Sequence, residues 1–150
     1  MTQKKLPQIL QNSIPHYTHL TFALSGDDDK EAVNTAKGIL EALPKINKNG
    51  FSAEQKKEYA ELESSIKEHA QHIADNAGNI DHQREHLDLM SEDFYDLLKD
   101  FGTSKTVYKI FCPMYNDNKG AFWLSDSREV KNPYYGKKMA SCGEVQEEIK

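Results

Sequence analysis

YKIFCPMYNDNKGAFWLS, Tyr108 to Ser125, departs from the pattern of the chain before it. Aromatic residues crowd around a Cys-Pro-Met triplet, and the only tryptophan, Trp123, follows shortly after. TVYKIFC (Thr106–Cys112) has the β-branched and aromatic content of a short strand. MYNDNKG (Met114–Gly120) is turn-rich, and REVKNPYYGKKM (Arg128–Met139) is punctuated by Pro133 and Gly136. A short final helix is expected to begin near Ser141 and take in EVQEEIK. Residues 106–150 therefore read as an irregular, aromatic-rich cap on whatever precedes them.

What precedes them is helical by apolar spacing. The first helix is expected over about residues 6–24, with Leu6, Leu10, Tyr17, Leu20 and Leu24 on one stripe and a kink at Pro15. Ser25 to Asp29 (SGDDD) supplies a glycine stop and an acidic start for a second helix over about 30–43, which carries Val33, Ala36, Leu40 and Leu43 and stops at Pro44. Ser52 is placed as an N-cap with Gln55 as its capping-box partner, opening a third helix over about 53–77. The fourth, about 79–101, shows the cleanest seam: Ile80, Leu87, Met90, Phe94, Leu97 and Phe101. Short links favour antiparallel neighbours, so the expected fold is all-α, an up-down four-helix bundle carrying the cap.

A chain of 150 residues is about one domain and long enough to bury a core. The charged fraction of 29% suits a small bundle with a well-solvated outside, and a net charge of -5 argues against nucleic acid, which rewards a basic surface. No apolar run approaches the ~20 residues that span a bilayer, so membrane insertion is not expected. MTQKKLPQIL starts basic, but no apolar stretch or cleavage site follows. A cytoplasmic chain or a mature exported domain are both compatible with that start.

Four sulfurs carry the chemistry. Pro113 holds Cys112 and Met114 in extended backbone, while Met139 and Cys142 are three apart, on one face of a turn. Two thiolates and two thioethers are soft ligands, the set that selects Cu(I) over harder ions. Tyr108, Phe111, Phe122, Trp123, Tyr134 and Tyr135 could shield a reduced metal from water. Other readings stand beside this one. Methionines among aromatic rings fill cores, and sulfur–aromatic contact alone explains them. The cysteines could equally be bonded to each other, which in the chain-entropy model stabilises a fold by roughly 3–4 kcal/mol. Neither spacing is a zinc signature.

The six histidines fall in close pairs: His16 and His19, His69 and His72, His82 and His86. His82 and His86 are one helical turn apart and can converge on a metal, whereas His69 on its apolar stripe also suits a satisfied core position. No phosphate-binding glycine loop, nucleophile elbow or H-E-x-x-H motif is present, so an enzyme is not expected.

Together DHQREHLDLMSEDFYDLLKDFG, VYKIFCPMYNDNKGAFWLS and EVKNPYYGKKMASCGEV resemble a family of bacterial helical domains. These occur alone as exported proteins, or fused to the C-terminal end of periplasmic adaptor subunits of copper/silver-type heavy-metal efflux pumps. The resemblance is weak over the first two helices and close from about Ile80 onward. It implies a helical bundle, a periplasmic address and a role in copper handling. Cys112, Pro113, Met114, Met139 and Cys142 fit its sulfur pattern, and His82 and His86 fit its helical segment. The expectation is a periplasmic module for Cu(I), or Ag(I), that serves an efflux-pump adaptor or another periplasmic copper protein. Cys112, Cys142, Met114 and Met139 would be its ligands, with His82 and His86 accessory. The alternative is a protein-interaction domain stapled by a Cys112–Cys142 disulfide.

Overall fold

The computed structural model describes residues 14–150. Four long helices lie close to their expected places: α1 (Ile14–Ser25), α2 (Asp29–Ala42), α3 (Ala53–Ala74) and α4 (Ile80–Phe101). Leu6, Leu10 and the expected start of α1 fall outside the described residues, and Pro15 stands at their edge. Local chemistry sets the helix starts. The Asp28 carboxylate accepts from the Glu31 amide at 3.0 Å to cap α2. Ser52 and Gln55 close the capping box of α3 from both sides, at 3.1 and 2.9 Å. Asn79 caps α4, and Gly102 follows its end.

The seams also bury as spaced. Tyr17, Leu20 and Leu24 of α1, Tyr59, Ile66 and Ile73 of α3, and Leu87, Met90, Phe94, Leu97 and Phe101 of α4 share one core. On α2 the buried line is Ala32, Ala36 and Ile39, with Val33 and Leu40 only half-buried, one position away from the expected stripe.

The all-α class and the closed four-helix bundle are corrected by the C-terminal third. Among the described residues there are five helices and a three-stranded antiparallel sheet, in the order β2-β1-β3. β1 (Val107–Cys112) is central, β2 (Ala121–Ser125) pairs with it across the turn α5 (Tyr115–Asn118), and β3 (Glu144–Ile149) forms the other edge. α1 packs on α2, α2 on α3 and α3 on α4, but α1 meets α4 only narrowly. β2 lies across both of these helices and brings the buried Trp123 and Leu124 to the gap that a bundle would have closed with helix on helix.

The expected final helix over EVQEEIK is strand β3. Its burial alternates residue by residue, with Val145, Glu147 and Ile149 turned toward the protein. Glu147 is held there by Lys99 Nζ at 2.8 Å and by the Tyr95 hydroxyl at 2.7 Å. Glutamate and glutamine favour helix locally, but pairing with the exposed side of β1 wins. The charges remaining on this edge discourage further strand addition. The turn α5 follows from its composition as well. Asn116, Asp117 and Asn118 take positive φ of 58°, 54° and 66°, a conformation that asparagine and aspartate tolerate better than most side chains.

Two polar networks fasten the sheet side to the helices. The Tyr17 hydroxyl lies 2.7 Å from Ser91 Oγ and accepts from the Leu124 amide at 3.0 Å, while the Tyr134 hydroxyl donates to Phe122 O at 2.6 Å. The buried Arg84 guanidinium donates to Pro133 O at 2.6 Å, Leu24 O at 2.7 Å and Asp27 Oδ1 at 2.8 Å. Asp27, read from sequence as helix-start solvation together with its neighbours, is thus an anchor, and this partner holds its carboxyl below the usual range. Gly136, at φ 62°, passes directly over this pair, and an added Cβ would collide with Asp27 Oδ1 and Arg84 Nη2. Arg84→Met should therefore lower stability by about 2–4 kcal/mol, since it orphans two buried carbonyls and removes the guanidinium partner of Asp27. Gly136→Ala should cost about 2 kcal/mol or more. Urea midpoints read both, and unchanged midpoints would refute the anchor.

Candidate functional site

The strand register brings the two cysteines together. Phe111 on β1 is opposite Glu144 on β3, so the end of β1 at Cys112 meets the chain just before β3. Gly143, at φ 147°, lets that chain pass close over Trp123 and Ile110. Cys112 Sγ and Cys142 Sγ are 3.3 Å apart, both free, with Cys112 buried and Cys142 half-buried.

Asn132 holds the second limb in place. It is fully buried; its amide nitrogen donates to Ala140 O at 2.9 Å and its side chain to Cys142 O at 2.7 Å. Its Oδ1 accepts from the Tyr134 and Tyr135 amides at 2.7 and 3.0 Å. The Cys142 amide donates to Met139 O at 3.1 Å, closing the turn that joins this methionine to the thiol. On the other limb, the Tyr135 hydroxyl donates to Met114 O at 3.0 Å, tying the Cys-Pro-Met turn to the same segment. Met139 is half-buried, whereas the Met114 side chain is 46% exposed at the rim. Tyr115 stacks on Tyr134 at 4.5 Å and completes an aromatic wall.

Burial pushes the Cys142 thiol up, and contact with Cys112 pushes it further, against a backbone hydrogen bond from Met114. Forming two thiolates side by side is opposed by like-charge repulsion. A bound cation removes that obstacle. A metal–thiolate bond of about 2.3 Å sets two ligating sulfurs roughly 4 Å apart, and a disulfide sets them about 2.05 Å apart. The observed separation lies between these, so small side-chain rotations reach either state.

The histidines gather elsewhere. His69 and His72 on α3 face His82 and His86 on α4. Ligand atoms of His72, His82 and His86 all lie within 4.8 Å of one another. His69 Nδ1 is 3.0 Å from His86 Nδ1, and the His72 and His86 rings stack at 4.3 Å. Arg84, two residues from each of His82 and His86, is about half a helical turn around α4 from both and reaches toward Pro133. His82 and His86 thus face α3, on the opposite side of α4 from the segment carrying Asn132 and Cys142. The structure pairs the thiols and pairs the histidines, but in separate clusters.

Sequence reasoning did not single out Asn132, which has no motif of its own, or Arg84, whose role exists only through carbonyls distant in sequence. His69 and His72 were visible as a spaced pair, but their meeting with His82 and His86 depends on the antiparallel return of α4 along α3. His16 and His19 lie apart from both clusters, with His19 Nε2 3.2 Å from Glu31. A cleft of about 270 Å³ beside Phe22, Trp123 and Lys131 includes neither the cysteines nor the clustered histidines. No described helix is long and apolar enough to cross a membrane.

A family profile described as a protein of unknown function (DUF3347) matches residues 14–106. The matched span includes the four clustered histidines and ends before Cys112. No curated protein and no solved structure matches the chain.

The His86 ring is pushed down to about 4, first by burial and then by His72, His69 and His82, with Glu68 opposing. The unfolded ring titrates near 6.5, so between about 4 and 6.5 the unfolded chain binds the additional proton. The stability contributed by neutral His86 should be present above pH 6.5 and lost as pH falls toward 4. NMR titration of the metal-free protein should place the His86 midpoint near 4, and His86→Gln should flatten this part of the urea-midpoint profile. A midpoint near 6.5 would exclude the buried, crowded environment.

Proposed function

We propose that this chain, which belongs to the DUF3347 family, is a non-enzymatic metal-binding module that takes up a soft monovalent ion, Cu(I) or Ag(I). The observation that carries the reading is the meeting of Cys112 and Cys142, 30 residues apart, at 3.3 Å without a bond between them. The thiolates would be the principal ligands, with Met139 on the turn leading to Cys142 and Met114 at the rim supplying thioethers. A monovalent ion suits the electrostatics, since binding displaces thiol protons and offsets the thiolate charges where burial opposes them. His82 and His86 are left out of this set because they face the other side of α4.

The rim position of Met114 offers a way in and out, as a protein that passes its metal onward requires. The resemblance of the C-terminal motifs supports a periplasmic location and an efflux-pump adaptor, or another periplasmic copper protein, as the recipient. The same sulfur contact favours one second reading, an interaction domain in which Cys112 and Cys142 close into a structural disulfide.

Titration of reduced, untagged protein with Cu(I) against a chromogenic competitor tests the first reading. One equivalent should bind, and Cys112→Ser with Cys142→Ser should weaken it beyond the roughly 10–100-fold that loss of an outer contact costs. Met139→Leu should weaken it less. Uptake unaffected by the double substitution would sink the sulfur site. Thiol counting on denatured protein prepared without reductant addresses the second reading. A bond that persists in folded protein under mild reductant would favour the staple over the metal.

A further inference from the structure

The geometry points to a second metal site, distinct from the thiols, on the outer face of the α3–α4 hairpin. It would take a divalent first-row transition ion on His72, His82 and His86, with His69 positioning the His86 ring. Four of the six histidines meet here, from an i, i+3 pair on α3 and an i, i+4 pair on α4. Each spacing puts two rings on one face of its helix, and the antiparallel pairing brings the two faces together. Imidazole is a borderline donor that suits Zn(II), Ni(II), Co(II) and Cu(II), whereas the sulfur cluster suits softer monovalent ions.

Metal–nitrogen bonds of about 2.0–2.1 Å put two ligands of a tetrahedral ion roughly 3.4 Å apart. Ligand atoms now within 4.8 Å of one another therefore need to close by little more than 1 Å at the widest. His72 is exposed, while His69, His82 and His86 are half-buried, so the site is open to solvent. The His72 and His86 rings stack in parallel at 4.3 Å, so capture of an ion between them would turn one ring about its Cβ–Cγ bond. His69 has a separate task. When His86 donates its Nδ1 hydrogen to His69 Nδ1, its Nε2 carries the lone pair that a metal needs. Glu85 lies 3.7 Å from His82 Nδ1 and Glu68 acts on His86, and both help offset the charge of an incoming cation.

Co(II) titration of the untagged 150-residue chain, kept reduced by a phosphine, is the test. One equivalent should bind with visible ligand-field absorption and without thiolate-to-cobalt charge transfer. His72→Gln, an exposed substitution that leaves the fold undisturbed, should weaken Co(II) binding about ten-fold or more, as should His82→Gln. His69→Gln should weaken it less and should raise the pH at which half the metal is released. Cys112→Ser should leave Co(II) binding unchanged, and His72→Gln should leave Cu(I) uptake unchanged, so this site and the sulfur site fail independently. Charge transfer from thiolate, affinity indifferent to His72 and His82, or the absence of saturable binding would each overturn the assignment.

Discussion

The Arg84 guanidinium joins α4 to two segments distant from it in sequence. From α4 it reaches the Leu24 carbonyl near the end of α1, the Asp27 carboxylate in the turn after α1, and the Pro133 carbonyl of the C-terminal segment. A buried guanidinium is tolerable only when its donors are satisfied and a countercharge is close, and each partner here is fixed by backbone rather than by a flexible side chain, save Asp27. The neighbouring residue of Pro133 is Asn132, which in turn fastens both Ala140 and Cys142. The position of one thiol is therefore set by a helix more than forty residues away in sequence. Gly136 is part of the same constraint, since only a residue without Cβ can pass over the ion pair at positive φ.

The sheet depends on this anchor and on the Tyr17–Ser91–Tyr134 network beside it. A three-stranded sheet whose edge strand reads EVQEEI has little apolar surface of its own. It is stabilised by the burial of Trp123, Leu124 and Ile110 in the shared core, where β2 lies against α1 and α4, and by hydroxyls that satisfy backbone groups at the junction. The proposed sulfur site and the fold are coupled at this place: the register of β1 with β3 that buries Ile110 is the register that leaves Cys112 beside Cys142.

The two clusters differ in the hardness of their donors and in their location. Cys112 is buried beside the sheet and Cys142 half-buried next to it, a more sheltered setting than the histidines have. The imidazoles sit on an open helical hairpin, where exchange with solvent is easy. A protein carrying both would sort ions by ligand type without needing two domains. The DUF3347 match spans the histidines and stops short of the sulfurs, so each cluster rests on its own observations.

Much of the helical part was legible from residues alone. The Ser52 capping box, the extent of the fourth helix and the Leu87–Phe101 seam depend on contacts within one or two turns, and local chemistry decides such contacts. The strand character of β1 was legible for the same reason, in its valine, isoleucine and aromatic content. EVQEEIK was misread because its composition favours helix while its conformation is set by backbone pairing with β1, which no local pattern announces. The sequence by itself determined the four long helices, the soft donors and the spacing of the histidine pairs. Only the tertiary structure decided which donors meet, because Cys112 with Cys142, and His72 with His82 and His86, are brought together by strand register and helix pairing over separations that periodicity does not encode.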